Sequence, residues 1–378
     1  MTAEPSVLAV NAGSSSVKIG LYRIGDPLQR TVEGTRDRIV WDGTTVDALL
    51  EWIEQQEGFD SVQAVGHRVV HGMHHTASEL VTPELVADLG RISPYDPDHL
   101  PNEIALITAF GRRHPALPQV ACFDTAFHQT MPRVATLLPI PRRFNAQGVR
   151  RYGFHGLSYA FLMDELARLG DPAAARGRVI LAHLGNGASL AAVRDGRSID
   201  TSMGFTPVSG LPMSTRSGDL DPGLVNYLAR TAHLTPAGFH AMVNRESGLL
   251  GVSETSADMR DLLAREAGDV RAAEAVALFG YQVKKWIGAF AAALGGLDTL
   301  VFAGGIGEHA PVVRARISAG LEFLGITIDA SLNAASAAVI SSGAAAVRVI
   351  HTDEELMIAR SVVRVVARRA QRTNEVHP

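Results

Sequence analysis

A single cysteine, Cys122, stands in 378 residues, so no intrachain disulfide framework is available and a reducing compartment is expected. Aromatic residues are scarce at 6%, and no apolar run reaches bilayer-spanning length; the longest, WIGAFAAALGGL, stops well short. Excess charge is small: 35 basic residues against 39 acidic ones leave a net charge of −4, which favours neither nucleic acid nor an anionic membrane as a partner. The opening MTAEPS lacks the basic-then-apolar shape of a secretory leader, and the expected location is the cytoplasm. Low-complexity linkers are missing as well. What is present is globular, with 46% apolar and 20% charged residues, and long enough for two or three domains.

The stretch VLAVNAGSSSVKIGLY (7–22) reads as an apolar strand, a turn of small polar residues and a second strand alternating in polarity. Glycine, serines and a lysine in a tight turn suggest phosphate, but the spacing is not that of a P-loop, which needs G-x-x-x-x-G-K-[ST] opening into a helix. Backbone amides at the tip of a hairpin can also form an anion nest. An ordinary hairpin with a polar turn fits the stretch equally well.

The pattern returns in VILAHLGNGASLAAVRDGRSIDT (179–201): apolar strand, Gly/Asn/Ser turn, second strand. Two similar hairpins, one per half, predict two related domains. A third glycine loop follows a long amphipathic helix near Ala272–Leu294, in the order buried strand DTLVFAGG, glycine turn, helix start. Together the three loops fit a two-lobed nucleotide clamp of the sugar-kinase, heat-shock ATPase and actin type.

Phosphoryl transfer asks for cationic groups, a metal and strict positioning rather than covalent help. Arg68 in GHRVVHG and Arg216 in MSTRSGDLDP offer guanidiniums that fork onto two oxygens. Asp124 follows the apolar run VACF, at the end of a buried strand where an unpaired carboxylate is costly. Glu354 in HTDEELMIAR reads locally as an acidic residue in a helix's first turn. His155, between Phe154 and Gly156, reads either as a donor to developing charge or as a core histidine satisfied by backbone. His71, His74 and His75 have spacing that suits zinc, but no cysteine or carboxylate pattern completes a site.

Taken in order, NAGSSSVK, GHRVVHG, FDTAFHQTMP, RYGFHGLS, HLGNGASL, TSMGFTP, TRSGDLDP, SGLLGVS, GGIGEH and TDEELMIAR resemble the acetate kinase (acetokinase) family over nearly the whole chain. The resemblance implies an α/β fold of two ribonuclease H-like lobes, each with a mixed central sheet and flanking helices, and an active site in the cleft between them. Residues 1–125 with 357–378 are expected to form the acceptor and phosphate lobe, and 126–356 the nucleotide lobe. It implies reversible transfer of the ATP γ-phosphoryl group to acetate or propionate, with ATP/ADP as substrate, Mg2+ (Mn2+ substituting) as cofactor, and a homodimer with no nucleic-acid or membrane partner.

By motif, Asn11 and Glu354 resemble the metal-site residues; Ser14, Ser16 and Lys18 the phosphate side of the first hairpin; Arg68, Arg216, Asp124 and His155 the catalytic set. His183, Leu184, Gly185, Asn186 and Gly187 resemble the second phosphate loop, while Asp258, Met259 and Arg260, with Gly305, Ile306, Gly307, Glu308 and His309, resemble the adenosine-binding segments. Val70, Phe154 and Pro207 match the apolar pocket for the acyl methyl, to which Tyr95 is added. The chain departs from the family where APLHNP is expected and SPYDPDHLPN stands. Tyr95 replaces an aliphatic residue there, Asp96 stands in for histidine, and His99 follows nearby; Tyr159 likewise replaces a histidine. Asp96 then brings negative charge close to a carboxylate acceptor, a repulsion unless an arginine lies between them. A more polar small acid, or a silent nucleotide-binding homologue, is the alternative reading.

Overall fold

The computed structural model describes residues 4–376 except 14, 15, 38 and 43. The first apolar run is strand β1 (Ser6–Ala12), which turns back antiparallel into β2 (Ser16–Arg23), placing Val10 opposite Ile19 and Asn11 opposite Lys18. Strand β3 (Gln29–Asp37) continues the meander on β2. On the other side of β1, β4 (Val62–Val69) runs parallel to it. The short β5 (Glu79–Leu80) pairs antiparallel with β6 (Gln119–Phe123), which lies parallel to β4. The sheet order is β3-β2-β1-β4-β6-β5.

The second sheet repeats this plan. Strands β7 (Arg178–Leu184), β8 (Ala188–Arg194) and β9 (Arg197–Thr201) form an antiparallel meander. Strand β10 (Thr299–Ala303) then lies parallel to β7, and β11 (Ala346–Val349) parallel to β10, giving the order β11-β10-β7-β8-β9. In each half the first strand pairs antiparallel with the second and parallel with the fourth of the shared five. The resemblance of the two hairpins in sequence is thus a resemblance of whole sheets. Strands β7, β8 and β10 are buried along nearly their full length, which explains their continuous apolar runs in place of alternation.

The chain divides into two compact units: Met1–Phe127 with Gly156–Phe161 and Asp353–Pro378, and His128–His155 with Leu162–Thr352. In the first, Leu50, Ile53, Leu106 and Phe110 from two helices cover the strand residues Val10, Ile19 and Leu21. Each such side chain taken fully out of water contributes about 1.5–3 kcal/mol. The final helix, Glu354–Val376, returns onto β1, β2, β4 and β6 of the same sheet. In the second unit, the helix Val270–Leu294 buries Ala272, Val276, Phe279, Val283, Ile287, Phe290 and Leu294 at helical spacing against β7 and β8. Asp269 caps its start by accepting from the amides of Arg271 and Ala272, and Gly295 closes its end at φ 71°.

Candidate active site

Strand ends present the candidate groups of the first unit. Arg68 lies one residue before the end of β4, and Asp124 directly follows β6, its parallel neighbour. Both Nε (3.0 Å) and Nη2 (2.6 Å) of Arg68 donate to Oδ2 of Asp124, and Nη1 donates to the carbonyl of Ala12 at 3.2 Å. Asp124 is fully buried, and its Oδ1 accepts no hydrogen bond among the described residues. Burial works to lower the Arg68 pKa, but Asp124, Glu354 and Glu103 together hold it above its ordinary value, so the guanidinium stays charged. Counting its five N–H groups, one on each terminal nitrogen is left over, among the described residues, for a ligand.

Asp124 is itself held from behind. Its carbonyl accepts the amide of Gly156 at 3.0 Å, and a Cβ on that glycine would stand 2.0 Å from the same oxygen. Only glycine fits there, which gives a physical reason for the His-Gly step in GFHGLS.

Asn11, half-buried near the end of β1, donates from Nδ2 to Oε2 of Glu354 and to Oε1 of Glu355, both at 2.9 Å. Burial raises the pKa of Glu354, with Arg68 opposing and Asp124 reinforcing; burial and Glu354 raise that of Glu355. Two neighbouring, half-buried carboxylates held by one amide offer oxygen donors suited to a hard divalent cation such as Mg2+. Glu355 was not singled out from the sequence, because only the fold shows that both glutamates face Asn11. Lys18, exposed on β2 opposite Asn11, contributes a positive field felt by both glutamates. Ser16 accepts the Gly13 amide at 2.7 Å across the turn, and Ser14 lies outside the described residues.

Beyond Arg68, the amide of Val70 donates to Glu103, at 3.1 Å to Oε2 and 3.3 Å to Oε1. Glu103 is 3% exposed, and burial pushes its pKa up to about 8; Arg68 opposes the rise, and Asp96 adds to it. Asp96 is itself buried, and its Oδ1 lies 2.8 Å from Nδ1 of His99, three residues on. Tyr95 ends a short 3-10 turn, Ser93–Tyr95, with its ring 6.1 Å from that of His71. Tyr159 is fully buried, 5.8 Å from Phe127.

In the second unit, His155 takes a left-handed backbone (φ 58°) at the start of the helix Gly156–Arg168. Its Nδ1 shares a 2.8 Å hydrogen bond with Oγ of Ser189 on β8, and its ring lies 4.3 Å from that of His183 on β7. A Cβ on Gly187 would meet Nε2 of His155 at 3.1 Å and Nη1 of Arg216 at 3.7 Å. The β7–β8 turn, the histidine and the arginine thus converge around a glycine backbone. Arg216 donates to the carbonyl of Pro207 at 3.3 Å, and the amide of Ser214 donates to that of Asn186 at 3.1 Å. Leu184 and Phe154 are buried, and the carbonyl of Phe154 is bonded to His128.

Gly305, Ile306, Gly307, Glu308 and His309 form a short helix, Gly304–His309, packed on β7 and β10. Glu308 turns inward: its Oε1 accepts the amides of Gly304 (2.8 Å) and Thr352 (3.3 Å), while Oε2 lies 2.7 Å from His351. Arg314 is completely buried and donates to the carbonyls of Gly307 (2.8 Å) and Glu308 (2.9 Å) and to Asn333. Sequence reasoning missed this arginine; nothing in PVVRARIS separates it from its neighbour Arg316, which pairs with Glu266 at the surface. Asp258 caps the helix Met259–Arg265, accepting the amide of Arg260 at 2.8 Å and pairing with its exposed guanidinium at 2.6 Å. Met259 is buried beneath them.

Residues 41–360 match the family model described as the Acetokinase family. The chain is 44% identical over 391 residues to "Acetate kinase" of Rhodopseudomonas palustris, spanning 95% of this chain and 98% of that one. It is 42% identical over 390 residues to "Propionate kinase" of Escherichia fergusonii, at 95% and 96% coverage. Among solved structures, that of Porphyromonas gingivalis acetate kinase superposes with a TM-score of 0.86 at 35% identity, covering 96% of this chain and all of that one.

Proposed function

The chain belongs to the acetokinase family, and on that premise we propose that it transfers the γ-phosphoryl group of ATP reversibly to acetate or propionate, giving the acyl phosphate and ADP. The observation that carries this reading is the buried Arg68–Asp124 pair beside the Asn11–Glu354–Glu355 cluster. A carboxylate is already ionised near pH 7, so the acceptor attacks directly and no general base is needed. Arg68, fixed by Asp124, binds the acceptor and then neutralises charge on the moving phosphoryl; Arg216 and His155, grouped around Gly187 in the second unit, are suited to offset phosphoryl charge as well. The first unit takes the acid, with Val70 beside its methyl end; the second takes the nucleotide through the β7–β8 turn and the Gly305–His309 segment.

Asn11 and Glu354, with Glu355 adjacent, would hold Mg2+ or Mn2+, which when bound offsets phosphate charge. Among the described residues no helix is long and apolar enough to cross a membrane. The reading also carries a cytoplasmic setting and a homodimer, the latter measurable by sedimentation.

The test is acyl-phosphate formation, trapped with hydroxylamine, from ATP and Mg2+ with formate, acetate, propionate, butyrate, lactate or glycolate. An optimum at acetate or propionate is expected. Activity on the hydroxy acids alone would make Tyr95 and Asp96 selectors of a polar acid; no product from any acid, with ATP still bound, would overturn the assignment.

A further inference from the structure

The histidines of HRVVHGMHH separate in the fold. His71 is buried near Tyr95, whereas His74 and His75 lie in the segment between β4 and β5, with their rings 4.3 Å apart. The carboxylate that local spacing failed to supply comes from Asp88, on the helix Pro83–Ile92. Its Oδ2 lies 2.9 Å from Nε2 of His74 and 3.0 Å from Nε2 of His75. Its other oxygen, Oδ1, accepts from Arg91 at 2.7 Å. On the far side of the second ring, Nδ1 of His75 lies 2.5 Å from Oε1 of Glu79.

We propose that His74, His75 and Asp88 bind one divalent transition-metal ion of the Zn2+ class, with Glu79 orienting His75 from outside. The donor set, two imidazoles and one carboxylate oxygen, suits zinc and its neighbours and disfavours Mg2+ and Ca2+, which take oxygen. The three ligand atoms lie within 4.8 Å of one another. Bonds of about 2.0–2.1 Å in a tetrahedron place ligands about 3.3 Å apart, so the two measured nitrogen–oxygen separations need to open by only a few tenths of an ångström. Glu79 on Nδ1 completes the carboxylate–histidine–metal arrangement that fixes ring orientation.

Three protein ligands leave a fourth position for water, and His74, 65% exposed, keeps it open to solvent. The ring of His75 also stacks on Phe123, 5.0 Å away and 11° from parallel, and Phe123 immediately precedes Asp124. The ion acts as a clip that ties the β4–β5 segment to the helix and presses His75 against the strand that presents Asp124. This site is independent of the acyl-kinase reading.

The test uses the full-length protein stripped with a chelator and held in excess Mg2+, which occupies oxygen sites. Zn2+ is titrated calorimetrically into wild type, His74→Gln and Glu79→Gln, and Co2+ is followed by visible absorption. Wild type should bind one Zn2+ with a Kd of about 1 μM or tighter and show the intense Co2+ bands of a tetrahedral site. His74→Gln, an exposed change that leaves folding intact, should lose the bands and weaken Zn2+ at least about 100-fold; Glu79→Gln should weaken it about 10–100-fold. Zn2+ should raise the melting temperature of wild type and not of His74→Gln. Equal Zn2+ affinity in wild type and His74→Gln, or Co2+ bands absent from wild type, would overturn the proposal.

Discussion

Glu103 offers a prediction whose size follows from its surroundings. It is 3% exposed, takes the Val70 amide and sits in the field of Arg68, and burial holds its pKa at about 8 against an ordinary 4.5. Below pH 4.5 the carboxyl is protonated in the folded and unfolded chain alike, and it costs folding nothing. Between 4.5 and 8 the unfolded chain ionises it while the folded chain keeps the proton, so stability falls as pH rises; above 8 both are ionised and the loss is constant. At ~1.4 kcal/mol per pH unit the loss reaches about 3 kcal/mol near pH 7 and about 5 kcal/mol at its limit. Glu103→Gln keeps an oxygen for the Val70 amide and carries no titration. Melting temperatures of wild type and variant should therefore diverge between pH 5 and 7.5, the variant gaining about 6–12 °C relative to wild type over that interval. Above pH 8 the ionised Glu103 competes for Arg68, so KM for acetate should climb in wild type and stay level in the variant. A constant difference in melting temperature from pH 5 to 9 would refute the reasoning.

Three further outcomes are expected. Arg216→Ala should lower kcat about 10³-fold with ATP affinity close to wild type, as equilibrium binding of a nucleotide analogue would show; unchanged turnover removes it from the transition state. Gly187→Ala puts a methyl 3.1 Å from Nε2 of His155, so His155 must yield by a few tenths of an ångström, while Arg216 at 3.7 Å stays in ordinary contact. Its kcat should fall up to about 10²-fold in steady-state assays without loss of melting temperature. Arg314→Met leaves the Gly307 and Glu308 carbonyls unpaired in the interior and should cost about 3 kcal/mol, read as a melting-temperature loss of about 6–12 °C.

Local periodicity made the hairpins β1–β2 and β7–β8 legible, because strand, turn and strand are contiguous and each burial pattern is short-range. The glycine turn after β10 and the helix Val270–Leu294 were legible for the same reason. Contacts across long stretches of chain were not. Asn11 meets Glu354 343 residues away, and nothing in TDEELMIAR distinguishes Glu355 from a solvated first-turn acid. Glu103 reads as an exposed helix residue until Val70 is placed over it. Asp96 reads as a stray charge until the chain turns His99 back onto it. Asp88, fourteen positions from His74, shows the same limit, since a helix is needed to bring it to the histidines. The candidate residue types were thus readable from motifs, whereas the partners that set their environment are supplied only by the fold.

The most direct measurement is ³¹P NMR of the enzyme with ATP, Mg2+ and acetate or propionate. Acyl phosphate should appear in step with ADP, and adding ADP to acyl phosphate should regenerate ATP. Inorganic phosphate as the sole product, at a rate indifferent to the acid, would contradict direct transfer to a carboxylate.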